Sequence, residues 1–402
     1  MLEAVTLPAS DSVLRRPGLN VFVPHASDEL TDHLPHGDGL VAFEVASRLA
    51  ARGHNVYVAS PEIAVRGPIP PTLHLFALPT PAGALGRLRY VVEVRRLFRR
   101  LQRDVRFDIV HQLNPVFTGM SLALAGTRVP VVLGSYLPDW PDEADSRQAL
   151  GTIRFRGANR MKNAVALVQQ RCARRLLLTT RAAEHRIVEP RRHAAKIVEF
   201  PHGIDPLPYA SEATEPATPT IVFLGGLEKR KGVLTLVEAH ALLLRAGFSC
   251  RLTIGGMGRL VVAVQDRVRA LGTTASVKML YRVDRGDVPA LMASASIYCM
   301  PSDGEPFGMS LLEAMAAGKP VVVGERGGPA YIVESDGGLH VPANDPVALA
   351  AALAKLLRDP NLRRSMGDAN RRRVRSSYAW DTIIPRLERE YYAIAPVASG
   401  RR

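Results

Sequence analysis

TIVFLGGLEKRKGVLTLVEA, residues 220–239, sets the fold class. An apolar run of β-branched and aromatic residues stops at Gly225 and Gly226, and a 3.6-residue apolar period starts after Lys231. That is a strand, a glycine turn and a helix. The unit recurs downstream in CRLTIGG (250–256), SVKML (276–280), ASIYCM (295–300), KPVVVG (319–324) and GLHV (338–341), each separated by a helical stretch. Alternation of this kind predicts an α/β domain with a parallel sheet.

Upstream, PLPYASEATEPATPT (206–220) is rich in Pro, Ala, Thr and Glu and has little to pack. It predicts an interdomain linker over 206–219. Before it the alternation runs again. Strands are predicted over 19–23, 55–59, 107–111, 130–133, 176–180 and 196–200, with a helix over 40–53 ended by Gly53. The predicted organisation is a loose arm over 1–18, a first domain over 19–205, and a second over 220–379. Residues 380–402 hold a last helix, which the family resemblance described below implies crosses back to the first domain. Two such sheets face each other across a cleft, a favoured place for ligands.

Composition excludes several classes. Hydrophobic content of 47% over 402 residues fits folded domains. No apolar run reaches the roughly 18 residues that span a bilayer, and the first residues lack the basic start and apolar middle of a secretion signal. The expected location is cytoplasmic. The three cysteines, Cys172, Cys250 and Cys299, lack metal-ligand spacing. Net charge is +14, and no aromatic-interleaved basic segment or zinc-finger spacing points to nucleic acid. Anionic sugar nucleotides and anionic lipid surfaces are simpler partners; genome composition also favours arginine over lysine. RLRYVVEVRRLFRRLQRDVR (87–106) carries arginines on one side and Leu, Val and Phe on the other. This pattern suits peripheral contact with a membrane and equally a helix on a sheet with a solvated basic face.

Three glycine turns follow strands in the second half: Gly225 with Gly226, Gly255 to Gly258, and Gly327 with Gly328. Such turns let backbone N–H groups approach a phosphate, and the helix N-terminus that follows favours anions. Lys229, Arg230 and Lys231 stand at the first turn. Cations are disfavoured at a helix start, so an anion nearby accounts for them. In PSDGEPFGMSLLEAMAAGKPVVVGERGGPAYIV (301–333), Glu305 lies in a loop and Glu313 about two helical turns up. One carboxylate is suited to hold a transferred sugar and the other a ribose diol.

This segment resembles the E-x7-E motif of retaining glycosyltransferase family 4, a group with the GT-B fold of two Rossmann-like domains. FLGGLEKRKGVLTLVEA, LTIGGMGR, the block 289–322 and the tail 338–367 follow in the family's order. PHGID (201–205) is similar to the stretch closing the first domain, with His202 for the usual Asn, and GDGLVAFEVASRLAARGHNVYV (37–58) to its first glycine loop. The resemblance implies hexosyl transfer from a nucleoside diphosphate sugar, UDP before GDP, to a hydroxyl of a small molecule, glycan or glycolipid. It implies retention by front-face attack, no metal and no cofactor beyond the sugar nucleotide. It assigns Glu305 to the donor sugar, Lys231 to the diphosphate, and Glu313 to the ribose. Phe307, Gly308, Met309, Gly226, Gly256 and Gly39 line the donor, and Arg282 lies by the base. Gly226 stands where an arginine is usual, with Arg230 as the replacement, and Tyr136 where a histidine is usual. His111, Tyr136 and Asp139 are the sugar-proximal or acceptor candidates. Competing readings are a GT-B epimerase or hydrolase and a non-catalytic basic binder.

Overall fold

A computed structural model describes residues 17–34, 37–80, 84–114, 119–124, 126–137, 153–210 and 215–396. Asp139 and most of the predicted N-terminal arm lie outside them.

The first sheet has seven strands in the order β5-β3-β1-β6-β7-β8-β9. They are β1 (Asn20–Val23), β3 (Asn55–Ser60), β5 (Leu73–Ala77), β6 (Ile109–Gln112), β7 (Val131–Tyr136), β8 (Arg175–Leu178) and β9 (Ile197–Glu199). All neighbours pair in parallel. A short parallel pair, β2 (Glu29–Thr31) with β4 (Glu62–Ala64), stands apart. The edge strand β5 escapes a sequence reading because LHLFA follows a proline-rich turn and buries only its first residue.

The second sheet runs β12-β11-β10-β13-β14-β15. Its strands are β10 (Thr220–Leu224), β11 (Arg251–Gly255), β12 (Val277–Tyr281), β13 (Ile297–Met300), β14 (Val321–Gly324) and β15 (Gly338–Val341), again parallel throughout. Strands β13 and β14 are buried along their whole length, so IYCM and VVVG read as continuous apolar runs rather than alternating ones.

Chain order reverses between β1 and β6 in one sheet and between β10 and β13 in the other. Crevices form at the carboxyl ends of the strands at such points. The loops after β10 and β13, which carry Lys231 and Glu305, therefore emerge side by side.

The Trp380–Ile394 helix buries Trp380, Ile383, Ile384, Leu387 and Tyr391 in the core of the first sheet, against Leu19, Val21 and Leu49. Glu388 on this helix accepts from Arg52 at 2.7 and 2.8 Å and pairs with His54 at 3.0 Å. The two passages between the halves run together: Ile204 N–H donates to Tyr378 at 2.8 Å, and Trp380 N–H donates to Ile204 at 3.1 Å. A Cβ on Gly203 would lie 2.4 Å from the Trp380 ring, so only glycine lets the crossing close.

Candidate active site

Glu305 is set by backbone contact between two loops. Its main chain forms a parallel bridge with Gly327, and Gly328 N–H donates to its carbonyl at 2.8 Å. Gly327 has φ of 89°, and a Cβ there would sit 2.3 Å from the Glu305 carbonyl oxygen. A Cβ on Gly328 would meet the Pro306 oxygen at 2.1 Å. The Cβ sides of Gly327 and Gly328 are thus taken up by the Glu305 loop, which requires glycine at both positions whether or not a phosphate approaches.

The cations arrive from the loop after β10. Lys229, Arg230 and Lys231 form one 3-10 turn, which ends on Gly232 in the left-handed region with φ of 69°. A Cβ on Gly232 would lie 2.2 Å from the Pro301 oxygen, and Asp303 N–H donates to the Arg230 carbonyl at 2.7 Å. The turn is thus seated on the loop carrying Glu305. Lys231 Nζ donates to Glu305 Oε2, and Arg230 Nη1 reaches the same oxygen at 3.3 Å. Arg230 also pairs with Glu228 at 3.0 Å. Lys229 stays exposed.

Three ionised groups sharing one carboxylate oxygen in a mostly buried place form a pair that loses much if one side is removed. They also hold two positive charges where a diphosphate can exchange for the carboxylate. Gly226 leaves room for a side chain, the nearest atoms to an added Cβ lying at 3.9 Å. Gly256 does not: its φ is 136°, and a Cβ would fall 1.9 Å from the Gly225 oxygen. Gly226→Ala is therefore expected to keep the wild-type Tm within about 2 °C, whereas Gly256→Ala lowers it by roughly 5 °C or more. Thermal unfolding of the two variants checks this; equal shifts contradict it.

Glu313 lies on the Met309–Ala316 helix, which starts at Gly308 with φ of 89° and no side-chain cap. Its first turn is tied to β10: Ser310 Oγ donates to the Leu224 carbonyl at 2.9 Å, and the Tyr298 hydroxyl donates to Ser310 at 2.7 Å. Tyr209, from the Leu207–Tyr209 turn just beyond Asp205, donates its hydroxyl to the Glu313 carboxylate, and Arg285 lies nearby. Burial pushes the Glu313 carboxyl up to about 7, against the pull of Arg285 and Tyr209. The ordinary value is 4.5. Between these values the folded chain keeps a proton that the unfolded chain has lost. The stability this group contributes is full below pH 4.5 and is lost as pH rises through 7. Glu313→Gln stays neutral throughout. It is expected to gain on the order of 2 kcal/mol over wild type between pH 5 and pH 8. Melting curves at both pH values read the difference, and a pH-independent difference contradicts it.

The remaining candidates separate. Phe307 is buried, its ring 4.7 Å from that of His202, and Met309 is partly buried beside it. Gly256 N–H donates to the Tyr281 carbonyl at 2.5 Å, so the β12 end lies at the second glycine turn. The Arg282 side chain is 76% exposed and pairs with Asp284 at 3.2 Å, directed to solvent in this state. In the first domain Gly39 is buried in the Gly37–Ala51 helix, beside Asp38, which accepts from Asn114 at 3.2 Å. Asp38, Asn114, Tyr136, Arg186 and His202 line one pocket with an apolar wall including Val41 and Ala42.

His111 is a correction. It is fully buried, with Nδ1 2.5 Å from the Tyr391 hydroxyl and Nε2 2.6 Å from the Gly134 carbonyl. Nε2 therefore donates and Nδ1 accepts, and burial lowers the imidazole to about 4. No ring nitrogen is left for a sugar, and the residue instead locks the last helix to the first sheet. In sequence His202 stands only as a replacement for Asn; its place in the pocket is a tertiary fact that no local signal carries.

Comparison with known proteins decides the family. The Glycosyltransferase Family 4 model matches residues 36–206, and the Glycosyl transferases group 1 model residues 210–373. Phosphatidyl-myo-inositol mannosyltransferase of Mycobacterium leprae (strain TN) is 29% identical over 95% of this chain and 98% of its own length. The chain belongs to glycosyltransferase family 4. This glycosyltransferase is also similar to the GDP-mannose-dependent monoacylated alpha-(1-6)-phosphatidylinositol monomannoside mannosyltransferase of Corynebacterium glutamicum, 35% identical over 42% of this chain and 46% of that one. Its fold is GT-B. Sucrose-phosphate synthase from Thermosynechococcus elongatus superposes with a TM-score of 0.72 at 19% identity, covering 94% of this chain and 99% of that one. HepE of Anabaena, solved in complex with UDP, gives 0.71 at 18% identity over 93% and 100%. Among the described residues of the glycosyltransferase, no helix is long and apolar enough to cross a membrane.

Proposed function

We propose that this glycosyltransferase moves a hexosyl unit from a nucleoside diphosphate sugar to a hydroxyl group, with retention at the anomeric carbon and without a metal ion. The observation that carries the reading is the meeting of Lys231 and Arg230 on Glu305 at the reversal point of the second sheet. On donor binding the two cations turn from the carboxylate to the diphosphate. They stabilise the charge that grows there as the sugar departs. Freed from the pair, Glu305 accepts hydrogen bonds from sugar hydroxyls beside the reacting carbon. The released diphosphate takes the acceptor proton as the acceptor oxygen attacks the same face.

The uncapped start of the Met309–Ala316 helix adds backbone N–H groups suited to an anion. Glu313 takes the ribose diol, exchanging its Tyr209 partner for a substrate hydroxyl. Arg230 supplies the second diphosphate cation that Gly226 lacks. The pocket lined by Asp38, Asn114, Tyr136, Arg186 and His202 receives the acceptor or the distal edge of the sugar.

The sequence reading ranked UDP above GDP. The relatives favour the reverse order, since the Mycobacterium leprae and Corynebacterium glutamicum enzymes are named as mannosyltransferases and the latter as GDP-mannose-dependent. We assign GDP-mannose as donor and the hydroxyl of a lipid-linked polyol as acceptor, which suits peripheral contact with an anionic membrane. A ligand at a hundredfold excess over its Kd stabilises by about 2.7 kcal/mol. GDP-mannose is expected to raise the Tm by several degrees at concentrations where UDP-glucose and ADP-glucose do not. A shift with UDP-glucose alone overturns the donor assignment. Donor turnover with no acceptor present would point to a hydrolase or epimerase instead.

A further inference from the structure

A cavity of about 380 Å³ lies where the two halves meet beside the crossing. That is within the roughly 300–1,000 Å³ of small-molecule sites. The first domain lines it with Thr180 and Arg181 after β8 and with Glu199 at the end of β9. The crossing supplies Tyr378, the last helix Arg386, and the second domain Tyr331. It shares no lining residue with the pocket proposed for the acceptor. The same two segments divide them: Arg181 and Pro201 line this cavity, Arg186 and His202 the other.

Both guanidinium groups converge on one residue. Arg181 Nε donates to the Glu199 carboxylate at 2.7 Å, and Arg386 Nη2 donates to the Glu199 carbonyl at 3.2 Å. Two cations thus stand against one carboxylate in the lining, a balance that suits a small anion. The Arg181–Glu199 pair is largely exposed, so it opens at little cost. Thr180 is buried, and its hydroxyl oxygen is enclosed without a hydrogen-bond partner among the described residues, a state that buried hydroxyls rarely keep. Tyr378 ends a π-helical turn, Val374–Tyr378, a rare geometry found frequently at functional sites. The Tyr331 side chain is exposed and offers a flat apolar face with a polar tip. A phosphorylated sugar matches this set: phosphate for the guanidinium groups, hydroxyls for Glu199, and a C–H face for Tyr331.

We propose that this cavity binds a small phosphorylated sugar as an effector, which bridges the two domains and favours their closure on the donor. Tyr331 ties the cavity to the Glu305 loop. Its N–H donates to the Gly328 carbonyl at 2.9 Å, and Gly328 N–H donates to the Glu305 carbonyl at 2.8 Å. On the other side, Thr179 N–H and Oγ1 both donate to the Tyr136 carbonyl at 3.0 Å. A ligand held by both Arg181 and Tyr331 binds one arrangement of the halves more tightly than another, which is what coupling requires. The coupling rests on the diphosphate site proposed above; the cavity does not.

Calorimetric titration of the full chain with glucose 6-phosphate, glucose and inorganic phosphate tests the proposal. Glucose 6-phosphate is expected to bind roughly tenfold more tightly than either of the others, and Arg181→Gln to weaken it by about tenfold. Tyr331→Leu is expected to weaken it by about threefold. The control Arg191→Gln removes the same charge from the first domain and is expected to leave binding within about twofold. All three positions are exposed, so folding is not at stake. By reciprocity, glucose 6-phosphate and GDP are each expected to tighten the other by about fivefold. No binding of glucose 6-phosphate, equal losses in Arg181→Gln and Arg191→Gln, or phosphate binding as tightly as the sugar phosphate overturns the site. So does loss of glucose 6-phosphate when GDP saturates, which would place it on the donor's own cations. Independent binding of the two ligands overturns the coupling. If neither GDP nor UDP binds, the diphosphate reading falls with the coupling, and Arg181→Gln still decides the cavity.

Discussion

Glu305→Gln is expected to cut transfer by on the order of a thousandfold while leaving nucleoside diphosphate binding intact or tighter. Glutamine keeps the size of the side chain and removes its charge. In the free protein that charge holds Lys231 and Arg230. Without it both cations are released toward the diphosphate before any donor arrives, so ground-state binding of the leaving group does not suffer. What is lost is the carboxylate that, on the proposed function, grips the sugar as positive charge gathers at its anomeric carbon. Initial rates with donor and acceptor measure the first effect, and calorimetric titration with the nucleoside diphosphate measures the second. Turnover within tenfold of wild type contradicts the role given to Glu305. A joint fall of turnover and nucleotide affinity makes the residue a structural support instead.

Lys231→Met is expected to behave in the opposite way on binding. It removes the cation nearest the carboxylate, so nucleoside diphosphate affinity falls by roughly tenfold to a hundredfold and transfer by about a thousandfold. Removing this partner also costs about 1.5–3 kcal/mol of stability, because Glu305 is then left with Arg230 alone. The double variant Glu305→Gln/Lys231→Met separates the two consequences. Removing both partners is expected to recover much of the lost stability but none of the activity, a coupling that a double-mutant cycle reads directly. Additive losses of stability would mean that the contact between the two side chains carries little of the fold.

These opposed effects follow from a feature the sequence conveys well. Glu305 and Lys231 are 74 positions apart, yet each falls in the loop after a strand next to the reversal of chain order, and the strand–turn–helix pattern fixes both loops. The β-branched runs and the linker composition make both sheets legible, because buried parallel strands leave continuous apolar stretches. Legibility ends where a residue's role depends on what packs against it. Gly327 and Gly328 look like a phosphate turn in sequence, and only the 2.3 and 2.1 Å approaches to the Glu305 loop reveal why both must be glycine. His111 ends the strand predicted over 107–111, as a ligand would, yet its partners are Tyr391, 280 positions later, and a backbone carbonyl. Tyr209 lies in a stretch too poor in pattern to signal anything, and its hydrogen bond to Glu313 comes from the fold alone. The edge strand β5 is illegible for a related reason, since one buried residue in five leaves almost no period to detect.

On this mechanism the lysine–glutamate contact after β10 and β13 is the resting form of a diphosphate site. A crystal structure with a bound nucleoside diphosphate tests it most directly. In that complex Lys231 Nζ and the Arg230 guanidinium are expected on phosphate oxygens, Glu305 released from both, and the ribose on Glu313 with Tyr209 displaced. A nucleotide bound elsewhere, with Lys231 still on Glu305, would contradict it.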